Sequence, residues 1–219
     1  MSEQEYPKVK LYRPFGPTIM EMDMPDEVVN NINNYVEKVV KDKDKSKKLD
    51  AGGQLVGQVT QEISLEKDFY ESHFKKFLQK AVETYIFGSS RKKIKSFKLR
   101  DCWVVRQYEN EYNPNHYHSG HLSGVGYLKV PKSFGDQKQK SVKEVNKNGH
   151  IEFVHGAKMF LSNSQMFVKP QVGKFYVFPH YLMHLVYPFK GKGERRSISF
   201  NGEIDETVFL ETYGAVKVE

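Results

Sequence analysis

Three histidines fall within six residues, His116, His118 and His121 in NHYHSGHLSGVGYL, and two more, His180 and His184, lie far along the chain in FPHYLMHLVYP. In an extended segment side chains alternate between faces, so His116 and His118 point one way and His121 the other. Two imidazoles at one strand end, joined by a distant third, make a facial set of three nitrogens. Such a set leaves up to three open positions on a six-coordinate metal, room for a chelating cosubstrate and dioxygen. Histidines flanked by tyrosine and asparagine also cap loops, and an H-x-H pair alone does not separate the two readings.

The surrounding residues sharpen the pattern. Gly124 and Gly126 in the next segment would allow close backbone approach beneath a ligand. Downstream, GKFYVFPHYLMHLVYPF sets a turn glycine, an aromatic strand and Pro179 ahead of His184, with Val186 and Pro188 after it. ERRSISFN then places a cation on a strand, with Ser197 and Ser199 on one face. A buried arginine needs an anionic partner, and a guanidinium fork beside a hydroxyl matches a carboxylate bidentately. A metal site together with a deep carboxylate site is a specific combination.

The other candidates carry less chemistry. His121 and His180 face away from their neighbours in this register and read as supporting or surface groups, with His121 able to hydrogen-bond a substrate at a cavity mouth. His150 and His155 flank a short strand and read as structural, His73 sits on an apolar helix stripe, and Cys102 beside Trp103 reads as a small buried hydrophobe. The sequence has no glycine-rich phosphate loop, no Ser-His-Asp elbow and no CxxC pair.

These residues need a scaffold. Val28, Val29, Ile32, Tyr35, Val36, Val39 and Val40 mark one buried helix face. Pro25 suits that helix's first turn, and Asp26 and Glu27 favour its positive end. The helix is expected to run out in KDKDKSKK. A second helix is expected from an N-cap at Ser64 to a stop at Gly88, with Phe69, Phe74, Phe77, Leu78, Ala81 and Tyr85 along its stripe.

From Ile94 onward, short Val, Ile, Phe and Tyr segments alternate with Gly, Pro, Asn and Lys. That is the pattern of an all-β sandwich or barrel. Strands are expected near 96–108, 122–130, 151–155, 158–162, 166–168, 173–178, 183–187 and 195–202. About eight strands suffice for a jelly roll whose two sheets enclose a cavity. The expected organisation is an N-terminal helical support region, 1–93, packed on a β core, 94–219, as one structural unit. The lysine-rich stretch 131–149 reads as a loop.

Length and composition agree with this. The chain's 219 residues, 38% hydrophobic and 28% charged, suit one globular core. A single cysteine excludes an internal disulfide framework and fits a reducing compartment. MSEQEYPKVK lacks the apolar stretch of a signal peptide, and no run approaches 18 apolar residues, so a cytoplasmic location without a membrane span is expected. The net charge of +7 raises nucleic-acid binding, but the lysines lie in blocks of the kind that mark solvated loops and helix ends.

Taken together, residues 97–202 resemble the 2-oxoglutarate/Fe(II) oxygenase superfamily, which includes the prolyl hydroxylases. The likeness rests on VVRQYENEYNPNHYH, SGVGYL, HLVYP and RRS. It is strongest to members with HxH…LSGVxYL and H-x-V-x-P segments. The resemblance implies a double-stranded β-helix (a jelly roll, cupin-like), mainly β with supporting N-terminal helices, hence α+β. It implies Fe(II) bound by His116, His118 and His184, and 2-oxoglutarate bound by Arg195 and Ser197 with Tyr127 and Tyr108 as further contacts. Arg196 would take the opposite face. Tyr127 and Tyr108 equally suit plain core packing.

The family usually has Asp or Glu where this chain has His118. Three imidazoles leave a divalent site one unit more positive than the common set. That implies a tighter hold on 2-oxoglutarate, altered O2 reactivity, or a metal set that omits His118, with Glu109 and Glu111 as alternative carboxylates. The implied activity is O2-dependent hydroxylation of a small-molecule or peptide substrate, with release of succinate and CO2. Two other classes remain open: a cupin-like metal module or isomerase without 2-oxoglutarate, and a basic nucleic-acid-binding protein with a vestigial pocket. A nucleobase-oxidising oxygenase would combine features of both. Specificity should reside in segments before the barrel and in loop 131–149.

Overall fold

In the computed structural model the described residues are 8–12, 16–136 and 146–212. Strands β1 (Val9–Tyr12) and β2 (Ile19–Asp23) precede helices α1 (Asp26–Lys41) and α2 (Lys43–Lys48). Then come β3 (Gln61–Ser64), α3 (Lys67–His73) and α4 (Lys75–Ser90). The remaining strands are β4 (Phe97–Gln107), β5 (Asn113–His116), β6 (Leu122–Lys129), β7 (Ile151–Val154), β8 (Gln165–Val168), β9 (Lys174–Pro179), β10 (Met183–Val186) and β11 (Arg195–Ile204), followed by α5 (Glu206–Thr212).

Two antiparallel sheets result. The larger runs β1-β2-β9-β6-β11-β4-β3 and the smaller β5-β10-β7-β8. They face each other as a double-stranded β-helix and do not close into a barrel. Period-two alternation gives the large sheet two different faces. Tyr127, Val125, Tyr176 and Phe178 turn inward and pack with Ile151, Phe153 and Val186 of the small sheet. Met20, Met22, Val104, Leu128, Phe175, Val177, Ile198 and Phe200 turn outward and pack under the helices.

Helix α1 forms as its apolar spacing demands. Val29, Ile32, Val36 and Val39 are buried, Asp26 and Glu27 occupy the first turn, and Lys38 and Lys41 the last. Each fully buried valine or isoleucine stabilises the fold by roughly 1.5–3 kcal/mol relative to exposure. The KDKDKSKK tail does not simply unwind. Asp42 accepts from the Lys45 backbone N–H and starts the short α2.

Other segments depart from expectation for local reasons. Ser64 ends β3 rather than capping a helix, and the second helix divides at Phe74, whose φ of −124° breaks the helical geometry. Phe74 is fully buried against Phe175. Gly88 does not stop α4. A Cβ there would come 3.0 Å from Leu11 of β1, so the glycine makes room for that strand, and α4 ends at Arg91 in the left-handed region. Segment 158–162 is a hairpin turn rather than a strand, with a Met159–Ser162 bridge and Leu161 at φ 62°. Residues 1–93, expected to be helical, also supply β1, β2 and β3 to the large sheet. Of loop 131–149, residues 137–145 lie outside the described residues.

Candidate metal centre and its two cavities

His116 ends β5, and its partner in the register of β10 is His184. The chain then leaves the strand. Tyr117 turns outward at 65% exposure, and His118 turns back in, its backbone N–H donating to the His180 carbonyl at 3.0 Å. The rings of His116 and His184 lie 4.3 Å apart, and His118 lies 5.0 Å from each. One ring nitrogen from each of the three falls within 4.8 Å of the others, and among the described residues no other His, Cys, Asp or Glu group converges in this way.

Hydrogen bonding fixes which nitrogens are available. Nδ1 of His116 lies 2.6 Å from the Pro114 carbonyl, and Nδ1 of His184 lies 2.8 Å from the Leu182 carbonyl. A carbonyl only accepts, so each Nδ1 carries the proton and each Nε2 keeps its lone pair. Backbone acceptors of this kind orient metal-binding imidazoles. Burial holds all three rings below the usual histidine range, His118 at about 4 and His184 at about 3. Neutral imidazoles are what a metal requires. The donor set therefore fits a divalent transition ion.

The second requirement, a site for a carboxylate, is met on β11. Arg195 is 1% exposed and lies on the inner face between the sheets. Its Nε donates to the Gly149 carbonyl at 3.1 Å, Nη1 reaches Ser197 Oγ at 3.5 Å, and the guanidinium sits 5.1 Å from the Tyr127 ring centre. Nη2 has no hydrogen-bond partner among the described residues, nor has the Tyr127 hydroxyl. Among the described residues no carboxylate faces this cation, and burial lowers its pKa. An unpaired buried guanidinium is costly unless an anion joins it. Arg195, Ser197 and Ser199 share one small cavity with the three histidines.

Arg196 takes the opposite face. It bonds Glu194 at 2.8 Å and Glu37 at 2.7 Å and is fully paired under α1. Tyr108 stays outside the cavity. Its hydroxyl accepts from Arg106 Nη2 at 2.6 Å, on the same outer side as Arg196. Glu111 is occupied as an acceptor for Thr60 and the Tyr108 backbone, and Glu109 is exposed, so neither approaches the histidines. His121 stacks on Phe209 at 3.7 Å and accepts from the Ile204 N–H, away from the cluster. His180 Nδ1 donates to the His121 carbonyl. Gly124 lines the small cavity with its backbone, but the side-chain positions of Gly124 and Gly126 point away from it. Added Cβ atoms would strike Phe200 at 2.4 Å and Phe175 at 2.5 Å, so these glycines serve packing on the helix side.

Sequence reasoning passed over two groups of this site, Trp103 and Glu62. The Trp103 ring meets His118 edge-on at 5.7 Å. Glu62 on β3 lines a larger cavity of about 490 Å³ on the other side of His116 and His118. Alternation along β4 could have placed Trp103 inward, since it shares parity with Val105. Nothing in QEIS marked β3.

Three imidazoles that could hold a metal ion and a lone buried guanidinium thus lie together between the sheets of a double-stranded β-helix of the jelly-roll class. Residues 101–201 match the family model described as "Putative 2OG-Fe(II) oxygenase". No curated protein sequence matches the chain. Solved structures share the fold at low identity. The viral collagen prolyl hydroxylase vCPH from Paramecium bursaria Chlorella virus-1, solved with 2OG, is 15% identical, with 84% of this chain and 94% of that one covered and a TM-score of 0.53. The Trichoplax adhaerens prolyl hydroxylase, in complex with a hypoxia inducible factor oxygen degradation domain peptide, is 12% identical, with 89% and 86% covered and a TM-score of 0.54. HygX from Streptomyces hygroscopicus, with nickel, 2-oxoglutarate and hygromycin B bound, is 13% identical, with 84% and 81% covered and a TM-score of 0.50. Residues 101–201 are thus similar to the 2-oxoglutarate/Fe(II) oxygenases, and the chain shares their fold. Among the described residues no helix is long and apolar enough to cross a membrane.

Proposed function

We propose that this oxygenase hydroxylates a small-molecule or peptide substrate, using Fe(II) held by His116, His118 and His184 and 2-oxoglutarate anchored by Arg195. The observation that carries the proposal is the pairing, in one cavity, of a neutral three-imidazole cluster with a buried guanidinium that has no anionic partner. Bound there, the metal and cosubstrate would supply O2-dependent oxidation of a C–H bond, coupled to decarboxylation to succinate and CO2.

The protein's own part is positional. Arg195 and Ser197 would receive the distal carboxylate, and Tyr127 would pack its ring beneath the guanidinium with its hydroxyl beside it. The carbonyls of Pro114 and Leu182 orient His116 and His184. Phe153 and Phe178 crowd His184 at 6.0 and 5.1 Å and keep water from its inner side. On this fold the Trichoplax prolyl hydroxylase was solved with a peptide and HygX with hygromycin B, which supports a peptide or small-molecule substrate here.

The test is anaerobic addition of 2-oxoglutarate to the Fe(II) protein, followed by the visible metal-to-ligand absorption band. A saturable band, then succinate release on admission of O2, is expected. Absence of any band at millimolar 2-oxoglutarate would overturn the reading.

A further inference from the structure

Trp103, Asn113, His116 and His118 are walls shared by two cavities. Arg195 and Ser197 lie on the inner side, and the 490 Å³ cavity opens on the outer side, bounded by Leu55, Leu65 and Tyr117. A volume of a few hundred Å³ suits a side chain or a small metabolite. With a carboxylate site on the inner side, the outer cavity is the remaining approach to His116 and His118.

Its polarity is unusual for a chain of net charge +7. Glu62 is 1% exposed, lines this cavity, and has an Oε2 without a hydrogen-bond partner among the described residues. Asp101 lines the same space, and the one cation there, Arg100, is taken by Glu203 at 2.8 Å. Burial raises the Glu62 carboxyl to about 7, Asp50 adds to the rise, and the Trp103 indole N–H offsets part of it. No cation faces it. Loop residue Gly57 lies so close that a Cβ would come 3.0 Å from Glu62 Oε1. Gly57 also precedes Gln58, whose backbone is bonded to Tyr112. The carboxyl is thus held in place without a counter-charge. Buried carboxylates are ordinarily paired or multiply hydrogen-bonded.

We infer that the outer cavity is the substrate site and that Glu62 selects a substrate bearing an amine or guanidinium group, which completes the missing pair. The inference rests on the oxygenase reading for its chemistry, but the cavity and its acidic floor stand without it. A basic group seated on Glu62 would leave a carbon elsewhere on the same molecule facing His116 and His118. Glu62 is accordingly a specificity residue.

Trp103 is the chain's single tryptophan and walls this cavity, so its fluorescence reports occupancy without metal, 2-oxoglutarate or turnover. The metal-free protein at pH 8 is titrated with Nα-acetyl-arginine amide, Nα-acetyl-lysine amide and Nα-acetyl-citrulline amide, the last an uncharged near-isostere of the first. Saturable change with the two basic probes, and at least tenfold weaker binding of the citrulline probe, is expected. Glu62→Gln should shrink that preference to less than threefold. Equal affinity for the arginine and citrulline probes in the unaltered protein, or no saturable change with the basic probes, overturns the inference even if Glu62→Gln does not fold. Loss of the 2-oxoglutarate absorption band would instead remove the oxygenase reading and leave this titration intact.

Discussion

His116 and His184 stand opposite each other on neighbouring antiparallel strands, their rings 4.3 Å apart, and the register slips immediately beyond them. After the His184–His116 pair the next partners are Val186 and Asn113, so β5 carries an irregularity beside the histidines. Bulges of this kind re-aim side chains next to active sites. Here the strand stops at His116, and the turn that follows returns His118 to the same point.

This convergence predicts a division of labour in metal binding. His184→Ala removes the most buried ring and should abolish tight Fe(II) binding, because two remaining imidazoles hold the ion weakly. His118→Asp should retain it, since it converts the set to two histidines and a carboxylate. Elemental analysis of the dialysed proteins distinguishes the cases. Full metal content in His184→Ala would sink the ligand assignment.

Glu62 predicts an unusual pH dependence of stability. Its folded-state pKa of about 7 lies above the ordinary carboxyl value of 4.5. The protonated form is therefore favoured by folding, and that stability is fully present below about 4.5 and lost as pH rises through about 7. Glu62→Gln cannot ionise and escapes the loss. Its melting temperature relative to the unaltered protein should climb between pH 5 and pH 8, by an amount equivalent to at most ~3 kcal/mol. A constant difference across that range would show that the carboxyl titrates normally.

Gly124 should prove indispensable to folding rather than to ligand binding. A Cβ there would meet Phe200 at 2.4 Å and the Tyr176 carbonyl at 2.5 Å, and the carbonyl belongs to a neighbouring strand that cannot yield. Overpacking of this severity costs on the order of 3 kcal/mol. Gly124→Ala should lower the urea midpoint accordingly, while the protein that remains folded still binds metal. An unchanged midpoint would contradict the packing role.

Much of this site was legible in the chain because alternation is a local property. Strands β4, β6, β9 and β11 alternate regularly, and that put Arg195 and Ser197 on one face and Arg196 on the other before any pairing was known. What failed depended on partners. Segment β5 reads Asn-Pro-Asn-His, with no apolar rhythm, and is a strand only because β10 pairs with it. The apolar run at 158–162 suggested a strand, yet Phe160 and Leu161 are 92% and 93% exposed on a turn. Tyr108 follows the end of β4, where Arg106 captures its hydroxyl on the outer side. Glu62 was silent because four residues of QEIS cannot announce a strand or say what lies across from it.

The two adjacent arginines supply the sharpest separation of roles. Arg195 is buried with one terminal nitrogen free, whereas Arg196 is buried with its bonds to Glu194, Glu37 and Asn33 complete. Replacing Arg195 by methionine removes the one cation that the described residues place on the cavity wall and leaves the 2-oxoglutarate carboxylate without its partner. The penalty is on the order of 2–4 kcal/mol, or roughly 30- to 1000-fold in 2-oxoglutarate affinity. Folding should suffer little, because an unpaired buried charge has been exchanged for an apolar side chain. Arg196→Ala has the opposite profile. It strips Glu194 of a close partner, leaving Arg106 at 2.9 Å to compensate in part, and should cost about 3 kcal/mol of stability. Its 2-oxoglutarate affinity, measured on the folded Fe(II) form through the visible absorption band, should stay within a few-fold of the unaltered protein. If Arg196→Ala weakens 2-oxoglutarate more than Arg195→Met does, the anchor lies on the outer face and the assignment of the cavity fails with it.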